Sequence, residues 1–445
     1  MKPYPPLGIL YISAFLKKNG VDCQVFDSTF SSREELEQKI MDERPKIIAI
    51  YSNLVTKVNV VKLMKFIRSK EELNDTKIIL GGPDITYNTH NYLNSGADTV
   101  VIGEGEQTML ELAEHYLNKK HVLNEIQGLA FLESGLEIKT PPRIKMKELA
   151  DLPWPDRKAI DLNKYIDVWK DHHGQTTVSV STQRGCPYTC KWCSTAVYGQ
   201  SYRRRPAADV VNELRWIKEN YNPDSIWFVD DVFTVSHKWL EEFCDLMIEA
   251  DLKLNFECIT RAERLNEPVL AHLKKAGCFR IWIGAESGSQ RIIDAMDRRV
   301  DVNVVRSMIR QTKAHGIETG TFIMVGYPGE DESDITETIT HLLESDPDHF
   351  TITLSYPIRG TELFNEVESK IITEGDWETT PDRALDFERT HNQRFYNHAI
   401  RRVTNEVWFA KAKKKRGAFA PSTIKHRLRS DLAYLGMKYQ KLVGK

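Results

Sequence analysis

Hydrophobic positions along the chain switch repeatedly between two periods. Over residues 7–19 they recur every three or four positions (Ile9, Ile12, Phe15, Leu16), the spacing of one helix face, and Gly20 stops the run. Short apolar runs at 23–26, 46–51, 77–80 and 99–102 read as strands, with helical periods at 34–42, 58–68 and 107–117 interleaved. This alternation predicts an α/β domain over residues 1–140 built on a doubly wound, Rossmann-like parallel sheet. Apolar runs at 126–132 and 136–139, split by Ser134-Gly135, predict a hairpin, and Pro141-Pro142 and Leu152-Pro153-Trp154-Pro155 mark residues 141–175 as a linker.

A second series begins at residue 176. Strand patterns at 177–182, 225–229, 254–259, 279–283, 319–325 and 350–354 alternate with helical ones such as 206–219, 268–275 and 304–315. Six such units predict a partial (β/α)6 barrel over 176–360, with its chemistry at the carboxyl ends of the strands. The candidate polar residues fall at those ends: Asp230-Asp231, the neighbourhood of Arg261, Gly284-Ala285-Glu286-Ser287-Gly288 and Gly326-Tyr327-Pro328-Gly329-Glu330. Residues 361–445 read as a helical C-terminal region, with segments 377–387 and 392–412 carrying aromatics whose spacing suits packing.

Composition narrows the class. The chain has 445 residues, 41% hydrophobic and 28% charged, which is ordinary for a globular protein and long enough for two or three domains. A net charge of −2 gives no bias toward nucleic acid, and none is expected as a partner. No apolar run reaches the roughly 18 residues of a membrane span, and the start shows no signal-peptide pattern, so a cytoplasmic protein is expected. The tail from Lys411 holds eleven Lys or Arg and one acid, Asp431. A solvated face is the default reading, and weak contact with an anionic membrane surface the alternative.

The chemistry concentrates in Gly185-Cys186-Pro187-Tyr188-Thr189-Cys190-Lys191-Trp192-Cys193. Three thiolates in a CxxxCxxC spacing can hold an iron–sulfur cluster and leave one iron open, because a four-iron cluster ordinarily takes four cysteines. A zinc knuckle would want a fourth ligand, and neither a cysteine nor a histidine lies close by on the C-terminal side before His237. A disulfide framework suits neither the odd count of seven cysteines nor the absence of an export signal.

This segment resembles the cluster loop of radical S-adenosylmethionine (SAM) enzymes, in which Trp192 matches the aromatic residue before the third cysteine. The resemblance implies a 4Fe-4S cluster on Cys186, Cys190 and Cys193 whose open iron chelates the methionine part of SAM. It further implies SAM contacts from Trp192, Asp230, Glu286, Arg298 and Gly326. Read without it, Asp230 could equally be a helix cap and Arg298 a surface arginine. The set Tyr4-Pro5-Pro6-Leu7-Gly8, Gly81-Gly82-Pro83 and Gly103-Glu104-Gly105-Glu106, placed ahead of such a core, resembles the cobalamin-binding domain of the cobalamin-dependent subfamily. Pro6, Gly8, Gly81, Gly82, Gly103, Glu104 and Gly105 are then the cobalamin contacts, although each glycine turn alone could be a tight connection. The first strand of the subfamily pattern is missing ahead of that segment, which predicts a gap in the sheet, and no DxHxxG motif supplies a histidine to cobalt.

The resemblance implies radical chemistry on an unactivated carbon, most often C-methylation with cobalamin carrying the methyl group. Oxidative cyclisation of the anaerobic Mg-protoporphyrin monomethyl ester cyclase type, or another radical rearrangement, is the alternative, and a cobalamin- or cluster-binding regulator the non-enzymatic one. The implied partners are a small-molecule, natural-product, lipid or tetrapyrrole substrate and an electron donor such as flavodoxin or ferredoxin.

Overall fold

The computed structural model describes residues 3–373 and 375–443. The chain forms two compact units. One comprises Met1–Pro187, Ser194–Ile226 and Thr373–Leu385, and the other Tyr188–Cys193, Trp227–Ile372 and Asp386–Lys445.

In the first unit a five-stranded sheet runs β1 (Ile47–Tyr51), β2 (Lys77–Gly81), β3 (Thr99–Val101), β4 (Leu129–Glu133) and β5 (Leu136–Lys139), in that spatial order. The β1–β2 and β2–β3 pairs are parallel, as the βα alternation predicts, and β3–β4–β5 is antiparallel. Side chains alternate across β2 and β3. Ile78, Leu80 and Val100 enter one core with Val60, Met64 and Tyr92, while Ile79 and Val101 enter another with Leu16, Met109 and Leu112. The predicted hairpin forms with Glu133 opposite Leu136, and Ser134 and Gly135 both take positive φ, as a tight two-residue turn requires.

Two sequence expectations are corrected in this unit. Residues 23–26 do not form a strand, because they have no ladder partner to satisfy their backbone. This goes with the predicted gap: among the described residues no strand precedes the helix Leu7–Lys18, and the all-apolar β1 is the outermost strand of the sheet with none of its residues fully buried. Residues 377–387 are not a helix either. They form turns, a short 3-10 segment and an isolated bridge, and Trp377 packs edge-on against Tyr92 with the Lys57 ammonium over its ring. The aromatics there respond to tertiary packing, which a helical period cannot reveal.

The second series folds as predicted into a half-barrel of parallel strands. Its strands are β6 (Thr177–Val180), β9 (Ser225–Phe228), β10 (Asn255–Thr260), β11 (Cys278–Glu286), β12 (Glu318–Val325) and β13 (His349–Leu354), ordered β13-β12-β11-β10-β9-β6. Between β6 and β9 the chain makes a ribbon of β7 (Gln183–Arg184) and β8 (Arg203–Arg204), which closes the cysteine loop at its base. The C-terminal region is two long helices packed on each other, Gln393–Arg416 and Pro421–Val443.

The ribbon puts Arg184 directly opposite Arg203, a like-charge pair that the ladder alone would disfavour. Both are nearly buried, and the Gly103-Glu104-Gly105-Glu106 turn neutralises them. Glu104 pairs with Arg203, lies 3.9 Å from Arg184 and accepts the Met146 N–H at 3.0 Å, while Glu106 pairs with Arg184. Nearby, Arg157 donates to Glu213 at 2.8 Å and to the Ser179 carbonyl at 2.9 Å, which ties the linker to the same unit. Removing one member of a buried pair strands the other charge, so Glu106→Ala is expected to cost about 3–5 kcal/mol of stability. Chemical denaturation of the purified variant measures this, and an unchanged midpoint would contradict it.

Candidate active site

The cysteine loop is held at several points. At its first end Gly185 has a positive φ of 81°, and a Cβ there would lie 2.3 Å from Ser201 Oγ, so the chain can close on itself only with glycine. Cys186 follows and bridges to Gln200. In the second unit the Cys193 N–H donates to the Cys190 carbonyl at 3.1 Å, which closes a tight turn between the two. The Lys191 N–H donates to the Met296 carbonyl at 3.2 Å, and Thr189 Oγ1 to Asp297 Oδ2 at 3.0 Å. Lys191 Nζ pairs with Glu366 at 2.5 Å and Glu362 at 3.4 Å. The Trp192 ring joins the apolar cluster of Ile292, Met296, Tyr327, Leu363, Val367 and Phe387, so in this structure it anchors the loop.

The loop cysteines are partly or fully exposed, whereas Cys244, Cys258 and Cys278 are buried. Burial, reinforced by Cys258, pushes the Cys244 thiol up to about 12, and burial raises the Cys278 thiol as well, so both stay protonated. One residue missed in the sequence reading touches the loop directly. Arg261, at the end of β10, donates through Nη1 to Cys190 Sγ at 3.3 Å, and its guanidinium lies 3.9 Å over the Tyr188 ring. Its place after a strand was visible in the sequence, but nothing in the spacing pairs it with a cysteine 71 residues earlier.

Glu286 and Arg298 meet beside that loop. β11 and β12 shift register between Gly284 and Glu286, and Glu286 takes a left-handed φ of 65°, a strained conformation for a side-chain-bearing residue. The bulge re-aims the Glu286 carboxylate over Gly284, where a Cβ would come within 2.8 Å of Oε1 and 3.2 Å of Arg298 Nη2. Arg298 is buried, not a surface arginine. Its Nη2 donates to the Gly284 carbonyl at 3.0 Å, and Nη1 lies 3.7 Å from Glu263 without a hydrogen-bond partner among the described residues. Burial raises the Glu286 carboxyl, against the pull of Arg298 and Arg261. A buried guanidinium with an unspent donor beside a desolvated carboxylate suits a zwitterionic amino-acid group, which offers one charge to each. Asp230, buried after β9, completes the acidic residues at the strand ends.

Other expected contacts have mixed placements. The space beside Gly326 is taken by the chain itself, since a Cβ would meet Leu354 Cδ1 at 2.7 Å and Arg389 Nε at 3.2 Å. In the first unit, Gly8 and Gly81 face open space that a Cβ would enter, which fits a ligand lying against the backbone. Pro6 caps the helix Leu7–Lys18. At Gly82 and Gly105 the room is filled by the Ser52 carbonyl and the Ile12 side chain, and Gly103 lies against the Val197 carbonyl. The Glu104 carboxylate, expected to face cobalamin, is engaged with Arg203, Arg184 and the Met146 N–H.

Two family models match the chain. The Radical SAM superfamily model matches residues 180–342, and the B12 binding domain model matches residues 2–113. The chain belongs to the cobalamin-dependent radical SAM enzymes. Its cofactors are accordingly a 4Fe-4S cluster, SAM and cobalamin. It is 27% identical over 368 residues to an uncharacterized methyltransferase of Pyrococcus horikoshii, covering 81% of this chain and 78% of that one. It is 25% identical over 379 residues to the anaerobic magnesium-protoporphyrin IX monomethyl ester cyclase of Rubrivivax gelatinosus, covering 83% and 67%. Its fold matches that of the radical SAM methyltransferase TsrM from Kitasatospora setae with a TM-score of 0.75 at 14% identity, over 98% of this chain and 97% of that one.

Just beyond β12, Glu330 is fully buried and accepts the Gly326 N–H. Burial pushes its carboxyl from the ordinary 4.5 up to about 8. A carboxyl raised in the fold binds its proton more tightly folded than unfolded. Its contribution is therefore complete below about 4.5 and is lost as pH rises through about 8. Glu330→Gln keeps an acceptor for Gly326 and carries no charge. The variant is expected to match wild type near pH 5 and to exceed it in thermal stability near pH 9. A stability difference independent of pH would contradict the assignment.

Proposed function

We propose that this protein methylates an unactivated carbon of a small molecule, a natural product, a lipid or a tetrapyrrole. The observation that carries the reading is the Glu286–Arg298 pair over Gly284, which offers a desolvated acid and an unspent guanidinium donor beside the Cys190 turn. The bound cofactors supply one-electron bond cleavage and a methyl carrier. The chain's own residues do the rest: Cys186, Cys190 and Cys193 hold the cluster, and Arg261 steadies the Cys190 sulfur through its N–H. Arg298 and Glu286 receive the carboxylate and ammonium of SAM, with Asp230 as a further acceptor for the ammonium. Trp192 and Gly326 shape the surroundings of that site by packing. Gly8 and Gly81 give cobalamin room against the backbone, with Pro6, Gly82, Gly103 and Gly105 setting the turns.

In this reading residues 1–140 bind cobalamin, 141–175 link, 176–360 carry the cluster and SAM, and 361–445 influence substrate choice. Electrons come from a one-electron carrier such as flavodoxin or ferredoxin, and the protein works in the cytoplasm. No helix among the described residues is long and apolar enough to cross a membrane. Methylation is favoured over cyclisation because both the Pyrococcus relative and the TsrM structure carry methyltransferase names. The cyclase name of the Rubrivivax relative keeps cyclisation as the second reading.

Two measurements test this. Anaerobically reconstituted and reduced protein, given its substrate, is expected to form S-adenosylhomocysteine together with 5′-deoxyadenosine, whereas 5′-deoxyadenosine alone would favour cyclisation or rearrangement. Separately, Arg298→Met is expected to weaken SAM binding by at least about tenfold, the loss of roughly one charge-assisted hydrogen bond, with the cluster's visible absorbance unchanged. Unaltered SAM affinity would remove Arg298 from the site.

A further inference from the structure

The C-terminal helix Pro421–Val443 has two opposed faces. Thr423, Ser430, Ala433 and Met437 are buried against the helix Gln393–Arg416. On the far side Ile424, Leu428, Leu432, Leu435, Tyr439 and Leu442 recur every three or four residues, and all are exposed, from 44% at Ile424 to 80% at Leu442. At 3.6 residues per turn they fall within a sector about 100° wide that runs the length of the helix. Single exposed leucines are ordinary, but a continuous stripe of them is not.

Charge decides what would cover it. Lys425 and Arg429 border the stripe on one side, whereas on the other Arg427 is paired with Asp431, the single acid of the helix, and Lys438 and Lys441 with Glu332. Just ahead of the helix, Lys413 to Arg416 are exposed and Phe419 is 91% exposed. Two copies meeting along this stripe would bring like-charged borders together, which is unfavourable. A lipid surface with anionic headgroups instead accepts the leucines below and the lysines and arginines at headgroup level, the arrangement of a helix lying in the membrane interface.

We propose that this exposed face of Pro421–Val443 is a docking surface for an anionic lipid bilayer, with the helix lying flat along it. The surface is continuous with the basic tail noted in the sequence. It does not depend on whether the reaction is methylation or cyclisation.

Co-sedimentation of the reconstituted protein with vesicles tests it. The protein is expected to pellet with phosphatidylcholine–phosphatidylglycerol vesicles and to stay in solution with phosphatidylcholine alone. Leu432→Glu lies opposite the packed face and should preserve the melting temperature while lowering vesicle affinity by at least about tenfold. Lys425→Ala with Arg429→Ala removes two charges and is expected to lower it by about tenfold or more, an effect that grows weaker as salt is raised. Three results would each overturn the proposal. One is equal partition to both vesicle types, and another is no change on Leu432→Glu. The third is a dimer in sedimentation velocity that Leu432→Glu dissolves without any vesicle binding.

Discussion

Two arginines facing each other across a short ribbon impose the main constraint on the first half of this molecule. Arg184 and Arg203 close the cysteine loop, and neither could be buried there without a counter-charge. Glu104 and Glu106 provide it from a turn some eighty residues earlier, at the carboxyl end of β3. The turn that sequence likeness assigns to cobalamin is thereby also the anchor of the loop that begins at Gly185. The side chains of that turn go to the ribbon, while Gly105 packs on Ile12 and Gly103 lies against the Val197 carbonyl.

The loop's other half is secured differently. A backbone bond to Met296, the Lys191 ion pairs and the packing of Trp192 on an apolar cluster fix its path. Arg261 and Arg298 are then placed by the ends of the strands and the segments that follow them, and the bulge in β11 sets Glu286 beside them. Strain at Glu286 and the unspent donor on Arg298 are both costs to the fold alone. They make sense as preparation for a ligand that satisfies them.

Much of this was legible in sequence. The βα alternation gave the order of most elements, and the glycine-rich strand ends marked the rim of the half-barrel. The CxxxCxxC spacing was specific because few other uses need three thiolates so close together. What escaped depended on distant partners. Residues 23–26 read as a strand but had nothing to pair with, and Trp377 read as helical but follows the first unit's core. Arg261 showed only its place after a strand, and nothing local paired it with Cys190. The Glu104 carboxylate was assigned to a ligand although arginines far along the chain claim it. The exposed stripe of the last helix shows the same limit in reverse: its period was helical, and only burial reveals which apolar face is left to solvent.

The proposal rests on three cysteines that leave one iron open to SAM. Electron–nuclear double resonance on the reduced protein, with SAM labelled at its amino nitrogen by nitrogen-15, tests it most directly. A hyperfine coupling between the label and the cluster is expected. A full complement of reduced cluster with bound SAM and no such coupling would contradict it.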